Sequence, residues 1–505
     1  MPYLVIKKLL RMDWILFLLV GAMAAASVAL IYSATYTSDD ESFLQASKNQ
    51  LYWIPIALVI YFVLALVDYR RWLQLAWPFA LIMLTLLVLV LFFGQEAQGA
   101  RSWFRFGGIG IQPAEFAKLA FILMLAKFLA GFRPNRKGGI VRQIFGFGFG
   151  GFWTVLAGAI MTALPMVLIF QQPDFGSGSV FFPIALLMMF TAGVGLLYIA
   201  LPVAAIYVGV LVAYHGIYLG DWHGSDYMKY RFNEAKQVRV SEPIFRTKEE
   251  AIAAGVIPDE RPEDVIRAEE EARKKERAAA RLRGEQPGLA QKDPVFILPV
   301  LKEYQIDRIK TFYNPNLDPK DAGWTINQSL IAIGSGGWDG AGYQQGTQNI
   351  LGYLPKNVAY NDLIFSVIGE EWGFVGGSTL ILAQGLVLVL CLRVGFFARD
   401  RGGMLIATGV TAMLFAHIFV NIGMTIQVVP ITGIPLPFIS YGGSFLVVCL
   451  AGIGLVQSVW IHRKPFDVTP DPEAASEEPA RLLELEHKRK ALAAQKPPRR
   501  IGVPA

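Results

Sequence analysis

The sequence predicts an all-α integral membrane protein with ten transmembrane helices and a large extracytoplasmic loop between helices 7 and 8. Three observations carry this. The chain of 505 residues is 54% hydrophobic but only 17% charged. Its mean hydropathy is +0.43. Apolar runs of about 20 residues recur, each long enough to cross about 30 Å of hydrocarbon as a helix. A soluble chain of this length carries more charge and shorter apolar runs.

The predicted spans are 13–34, 50–68, 74–94, 113–131, 151–170, 176–194, 196–215, 363–392, 403–426 and 438–461. The first follows Lys7, Lys8 and Arg11 and has no small-residue cleavage site, so it reads as a retained span. The second and third are parted by Arg70 and Arg71. The fourth opens on Pro113, which suits a helix start. The fifth and sixth are joined only by Gln171–Phe175, a tight turn at one face. The organisation is therefore 1–215 with seven spans, 216–362 as the large loop, 363–464 with three spans, and 465–505 as a flexible, Pro- and Glu-rich tail.

Lys and Arg in short loops set the orientation. The N-terminus, the loops after spans two, four and eight, and the tail with His462, Arg463 and Lys464 share one face. That face is predicted to be the cytoplasm, with both termini on it. The first outer loop carries Asp39, Asp40 and Glu41. Within the large loop, about 246–285 mixes Glu with Arg and Lys at helical spacing and reads as a solvated insert. Net charge is +6, but topology-setting loops account for much of it, so nucleic-acid binding is not implied. The two cysteines fall in apolar spans and the five histidines lack ligand spacing, so no histidine metal site is expected.

The topology gathers polar segments on the outer face. GARSWFRFGGIGIQPAEFAK places Arg101, Trp103 and Arg105 in a loop and Gln112, Glu115 and Lys118 at the head of span four. Glu115 and Lys118, three apart, can pair on one helix face. QQPDFGSG brings Asp174. The run from Arg308 through FYNPNLDPKDAGWTINQSLIAIGSGGWDGAGYQQGTQ includes Gln328 and Ser329. LPKNVAYND ends on Asp362, with Glu370 and Glu371 just beyond. VVPITGIPLPFISYGGSF contributes Ser440 and Tyr441. The third and fifth segments are rich in Gly and Pro and read as re-entrant or interfacial stretches, tolerated where they line a polar cavity. A carboxylate at membrane depth costs roughly 2.5–3.5 kcal/mol, so several at one entrance argue for chemistry or transport. Cations there suit a pyrophosphate, and a carboxylate beside them suits a general base. The structural alternatives are a surface ion pair for each charge and an interfacial anchor for Trp103.

These stretches, with LPKN, FSVIGEEWGFVGG and NIGMTIQVVPITGIPLPFISYGGS, closely resemble the SEDS family (shape, elongation, division and sporulation proteins), and its RodA-like elongation branch rather than its division branch. The resemblance implies a peptidoglycan glycosyltransferase of the bacterial inner membrane that polymerises lipid II into β-1,4 glycan strands. By position it makes Asp362 the catalytic aspartate. Arg101, Trp103, Glu115, Lys118, Asp174, Arg308, Gln328, Ser329, Ser440 and Tyr441 become the substrate- and pyrophosphate-binding set. It implies no certain cofactor and leaves a divalent cation (Mg or Mn) open. Expected partners are lipid II, the nascent glycan strand, a class B penicillin-binding protein and the elongation machinery. The sequence departs from the family at Ala114, at Gln171 and in LPKNVAYND, which is two residues longer than usual. The competing readings are a lipid-linked precursor flippase and a non-catalytic scaffold for a wall transpeptidase.

Overall fold

The computed structural model describes residues 2–37, 41–97, 100–106, 109–131, 149–172, 174–195, 197, 198, 200, 204, 308, 311, 312 and 322–464. Residues 1–196 and 308–505 form one compact unit, and 197–307 form a second. The predicted seventh span, the charged insert, Lys310 and the tail beyond Lys464 lie largely or wholly outside the described residues.

The first unit is helical. Its elements run α1 (Pro2–Leu10), α2 (Trp14–Thr35), α3 (Glu41–Leu66), α4 (Tyr69–Gln74), α5 (Ala76–Phe93), β1 (Gln95–Ala97), β2 (Ala100–Phe106), β3 (Ile109–Ile111) and α6 (Pro113–Ala130). They continue with α7 (Phe149–Gln171), α8 (Phe175–Ser179), α9 (Phe181–Thr191), α10 (Ala322–Ser335), α11 (Thr347–Ile350), α12 (Lys356–Ala359), α13 (Ile364–Phe396), α14 (Arg401–Thr425) and α15 (Gly443–Ile461). Among the described residues, seven helices are long and apolar enough to cross a membrane: α2, α3, α5, α7, α13, α14 and α15. Helix α6 has the length of a span but carries Glu115, Lys118 and Lys127. The predicted first, second, third, fourth, fifth, eighth, ninth and tenth spans each coincide with one helix over most of their length, the tenth only from Gly443 on, whereas the sixth is divided between α8 and α9; the chain is a multi-pass membrane protein.

One expectation needs correction. The segment from Gln95 to Ile111 was expected as a loop in an all-α chain. It is a three-stranded antiparallel sheet, with Gln95 opposite Trp103 and Phe104 opposite Ile111. The alternation of ARSWFRF before two glycines is a hairpin pattern, but it is short and hidden among long apolar runs.

Helices α14 and α15 form the core. Their most apolar windows are 78% and 94% buried, against 22–33% for α2, α3, α5, α7 and α13. Most of α6 is buried as well. Close backbone approach makes this possible: a Cβ on Gly454 of α15 would stand 2.7 Å from the Tyr61 carbonyl of α3.

The polar ends sort into two groups. At one end Arg70 pairs with Asp400 at 3.0 Å, and Lys8 donates to the last carbonyl of α3 at 2.7 Å. Arg401 donates to Ala192 at 2.6 Å, and Arg393 pairs with Asp13. Burial works to raise the Asp400 pKa. The Gly403 N–H, Tyr69 and Arg70 outweigh it and hold the carboxyl below its usual range. The other end collects Gln112, Asp174, Asp362, Lys356 and the irregular stretch 427–442.

Candidate active site

Asp362 sits between α12 and α13, and its backbone is fixed from three directions. The Tyr360 carbonyl accepts from the Tyr441 N–H at 3.1 Å. The Asn361 carbonyl accepts from Ser440 Oγ at 2.5 Å, and the Asp362 carbonyl from Asn421 Nδ2 at 2.9 Å. Three consecutive carbonyls are therefore held by α14 and by the head of α15. The Asp362 side chain is treated differently. It is only 8% exposed, and its Oδ1 has no hydrogen-bond partner among the described residues. Its Oδ2 lies beside Gly433, whose φ of +72° belongs to a tight turn. Burial pushes the carboxyl pKa up to about 7. Arg308 opposes that shift and Asp174 adds to it.

The stretch 427–442 forms one wall. Arg308 donates to the Ile431 carbonyl at 3.2 Å, so a cation lies on the Asp362 side of this wall. Asn421 Nδ2 also donates to the Ile434 carbonyl at 2.7 Å, and Gln384 Nε2 to the Pro437 carbonyl at 2.7 Å. Gly176 of α8 packs so close that a Cβ there would meet the Thr432 carbonyl at 2.8 Å. Positive φ at Gln427 and Phe438 gives the stretch a shape no spanning helix could hold.

Glu115 and Lys118 do pair, one turn apart on α6. Lys118 Nζ is 2.9 Å from both Glu115 oxygens and 2.9 Å from His417 Nε2 of α14. The lysine is completely buried. Its three N–H bonds are thus committed inside the protein. Asp174 caps α8 through the Ser177 N–H at 2.9 Å and accepts from Gln112 Nε2 at 2.6 Å. Ser177 Oγ reaches Glu115 at 3.5 Å.

Of the other expected residues, Arg101 and Trp103 lie in β2. Trp103 covers Gly110, where a Cβ would stand 3.2 Å from the ring. The Arg101 side chain lies outside the described set. Gln328 and Ser329 are buried on α10. Ser329 Oγ bonds Ser366 Oγ at 2.7 Å and the Thr425 carbonyl at 2.8 Å, stitching α10 to α13 and α14. The structure thus brings Asp362, Asp174, Arg308, Ser440 and Tyr441 around one wall, with Glu115 and Lys118 behind it.

Glu370 and Glu371 are engaged elsewhere. Helix α13 breaks at Gly373, with φ +59° and ψ −159°. The freed Glu370 and Glu371 carbonyls accept the Ala341 and Gly342 N–H groups, each at 2.9 Å. Phe374 and Val375 in turn donate to Gly337 and Trp338 at 2.9 and 3.2 Å. The Glu370 carboxylate takes the Gln348 and Asn349 N–H groups at 2.6 and 3.3 Å. Glu371 accepts from Ser33 Oγ at 2.5 Å. Glu370, expected among the carboxylates of the mouth, instead fastens the loop 336–350.

Sequence reasoning passed over His417 and gave Asn421 no role beyond its motif. A lone histidine or asparagine in an apolar run carries no spacing signal. Among the described residues no group of three or more His, Cys, Asp or Glu is gathered to hold a metal ion. An apolar groove of about 600 Å³ between α2 and α3 is lined by residues such as Ala25, Val28, Tyr32 and Leu51. It offers no acid or basic side chain for proton transfer at neutral pH. Asp362 stands apart from that groove: it is a buried carboxyl whose pKa burial pushes up to about 7, with Oδ1 lacking a partner among the described residues and Arg308 nearby.

Comparisons with known proteins show similarity along most of the chain. The family model described as cell cycle protein, of the FtsW/RodA/SpoVE group, matches residues 8–237 and 289–465. The unmatched stretch between them contains the charged insert. The chain is 32% identical over 447 residues to the peptidoglycan glycosyltransferase RodA of Treponema pallidum, covering 88% of this chain and 97% of that protein. It is 28% identical over 456 residues to the peptidoglycan glycosyltransferase MrdB of Escherichia coli, covering 90% and 95%. Among solved structures, one described as the structural coordination of polymerization and crosslinking by a peptidoglycan synthase complex aligns with TM-score 0.58 and 26% identity. It covers 90% of this chain and 99% of that one. The Thermus thermophilus rod shape determining protein RodA shares the fold, at TM-score 0.52 and 24% identity, over 90% and 98% of the two chains.

Proposed function

Because the chain belongs to the FtsW/RodA/SpoVE cell cycle protein family, we propose that it is a peptidoglycan glycosyltransferase that polymerises lipid II during cell elongation, with Asp362 as its general base. The observation that carries the base assignment is the contrast within that one residue. The carbonyls of residues 360, 361 and 362 are each pinned by a hydrogen bond, while the Asp362 carboxyl is buried with Oδ1 unpartnered among the described residues and its pKa pushed up to about 7. A base works best when its pKa lies near the working pH.

Asp362 takes the proton from the acceptor sugar's 4-hydroxyl. The oxygen forms its bond to the donor's anomeric carbon from the face opposite the diphosphate. The carbon–oxygen bond to undecaprenyl diphosphate breaks, its electron pair leaves with that group, and α configuration becomes β in one displacement. Arg308 and the arginines of the β2 strand stabilise charge on the departing diphosphate. Glu115 and Lys118, saturated by each other and by His417, act on the reaction from behind the wall. The buried Ser329 and Gln328 shape the same region from α10.

The finer topology follows the charge pattern. Ten helices span the inner membrane, the end bearing Arg70, Arg393 and Asp400 faces the cytoplasm with both termini, and residues 216–362 face outward with Asp362. A class B penicillin-binding protein is the transpeptidase partner within the elongation machinery. The test is polymerisation of lipid II by the purified protein in detergent, read as glycan on a gel. Asp362→Ala should give no measurable product while melting like the parent protein. Product at parental yield would remove the assignment.

A further inference from the structure

His417 lies inside α14, completely buried. Its ring is engaged on both sides: Nε2 is 2.9 Å from Lys118 Nζ, and Nδ1 is 3.4 Å from the Pro435 carbonyl. An ammonium can only donate. Nε2 is therefore the bare nitrogen, and the ring proton sits on Nδ1, directed at Pro435. Two of the three ammonium protons go to Glu115 and the third goes to the ring. The result is a continuous path from the Glu115–Lys118 pair on α6, through the imidazole, to the wall beside Asp362.

One turn further along α14, on the same helix face, Asn421 divides its amide between the Ile434 and Asp362 carbonyls at 2.7 and 2.9 Å. Helix α14 thus grips two consecutive carbonyls of the wall, 434 and 435. The next residue back, Gly433, is the one that meets the Asp362 carboxyl. Phe445 of α15 lies against the imidazole at 4.7 Å between ring centroids and limits its tilt.

We propose that His417 is a positioning residue: it transmits the placement of the Glu115–Lys118 pair to the Pro435 carbonyl and so fixes the wall against which Asp362 works. This rests on the assignment of Asp362 as the base. A merely structural histidine would serve as well if replaced by any side chain that fills its volume. A positioning histidine requires an acceptor toward Lys118 and a donor toward Pro435.

The experiment compares His417→Leu, His417→Gln and Asp362→Ala in the purified lipid II polymerisation assay, with melting temperatures measured in parallel. Leu fills space without either bond. Its kcat should fall about 100-fold, the scale of a small misplacement near a reacting centre, while KM stays within about threefold. Gln can accept from the ammonium and donate to the carbonyl, and should recover kcat to within about tenfold of the parent. Parental kcat for His417→Leu would overturn the proposal, as would a loss that merely tracks the folded fraction. So would a Gln variant that folds normally yet does no better than Leu. If Asp362→Ala remains active, the reaction-centre assignment falls and takes this proposal with it. If only His417→Leu remains active, His417 alone is released.

Discussion

Asp362 and Glu370 stand eight residues apart in one short region, and their surroundings are opposite. Both are buried, at 8% and 1% exposure. Glu370 has both oxygens filled by backbone N–H groups of the loop 336–350. Asp362 has its backbone held and one carboxyl oxygen bare. Burying a carboxylate is costly unless its oxygens are paired. Glu370 meets that cost with hydrogen bonds and becomes architecture. Asp362 has that cost offset only in part, by Arg308, and burial, with Asp174 adding to it, raises its proton affinity into the neutral range. A group kept in that state at the expense of stability is expected where reactions occur.

The comparison breaks most sharply under exchange of each acid for its amide. Asp362→Asn removes the base and should lower kcat about 10²- to 10⁴-fold. It should leave the melting temperature unchanged or higher, because an only partly compensated carboxyl is gone. Glu370→Gln should do the reverse. Its new amide NH₂ would face backbone donors, and loss of charge-assisted bonds costs about 2 kcal/mol. Turnover per folded molecule should stay near the parental value. Gel assay and thermal melts on the two purified variants read both axes. Two variants that fail in the same way would dissolve the distinction.

The pH profile sharpens the same contrast. A base must be deprotonated to act, and the Asp362 carboxyl is raised from 3.8 to about 7 by burial. Activity at low substrate should therefore climb about tenfold per unit below pH 7 and level off above it. The stability sign is opposite. The folded chain holds this proton more tightly than the unfolded chain, so the contribution is fully present below pH 3.8 and is lost as pH rises through 7. A flat rate between pH 5.5 and 8 would contradict the assignment.

Much of this was legible in the sequence. Apolar length marked the helices, so the helix expected at 113–131 forms at Pro113–Ala130. Asp362 stood out as the one acid between Pro355 and Glu370, and the i, i+3 spacing of Glu115 and Lys118 announced their pair. The break at Gly373 was not legible. GEEWGFVGG continues an apolar helical run, and what opens it is backbone pairing of Glu370, Glu371, Phe374 and Val375 with the distant residues Ala341, Gly342, Gly337 and Trp338. The role of Glu370 was hidden for the same reason. His417 gave no signal because one partner comes from α6, far away in sequence, and the other from an irregular stretch after α14 that has no periodic pattern.

The break itself can be tested. Gly340 has φ +84°, and a Cβ there would lie 2.2 Å from the Glu371 carbonyl oxygen, a backbone atom that cannot swing away. Gly340→Ala should cost about 3 kcal/mol through strain and displacement of the loop. If the loop serves architecture, the variant should melt earlier yet keep parental kcat per folded molecule. A fall in kcat beyond the unfolded fraction would tie the loop to catalysis and narrow the gap between the two acids.

The smallest effect tests which side of the comparison Ser329 belongs to. The family resemblance placed it in the substrate-binding set, yet its hydroxyl bonds Ser366 and the Thr425 carbonyl, and the side chain is fully buried. Ser329→Ala removes both bonds and leaves the Ser366 hydroxyl and one carbonyl short of a partner. The expected loss is about 1 kcal/mol of stability. If Ser329 acts as Glu370 does, KM for lipid II stays at the parental value while the melting temperature drops. If KM rises several-fold with an unchanged melt, the hydroxyl is used by substrate, and the substrate site extends from Asp362 to α10, past Ser366 about one turn beyond the base.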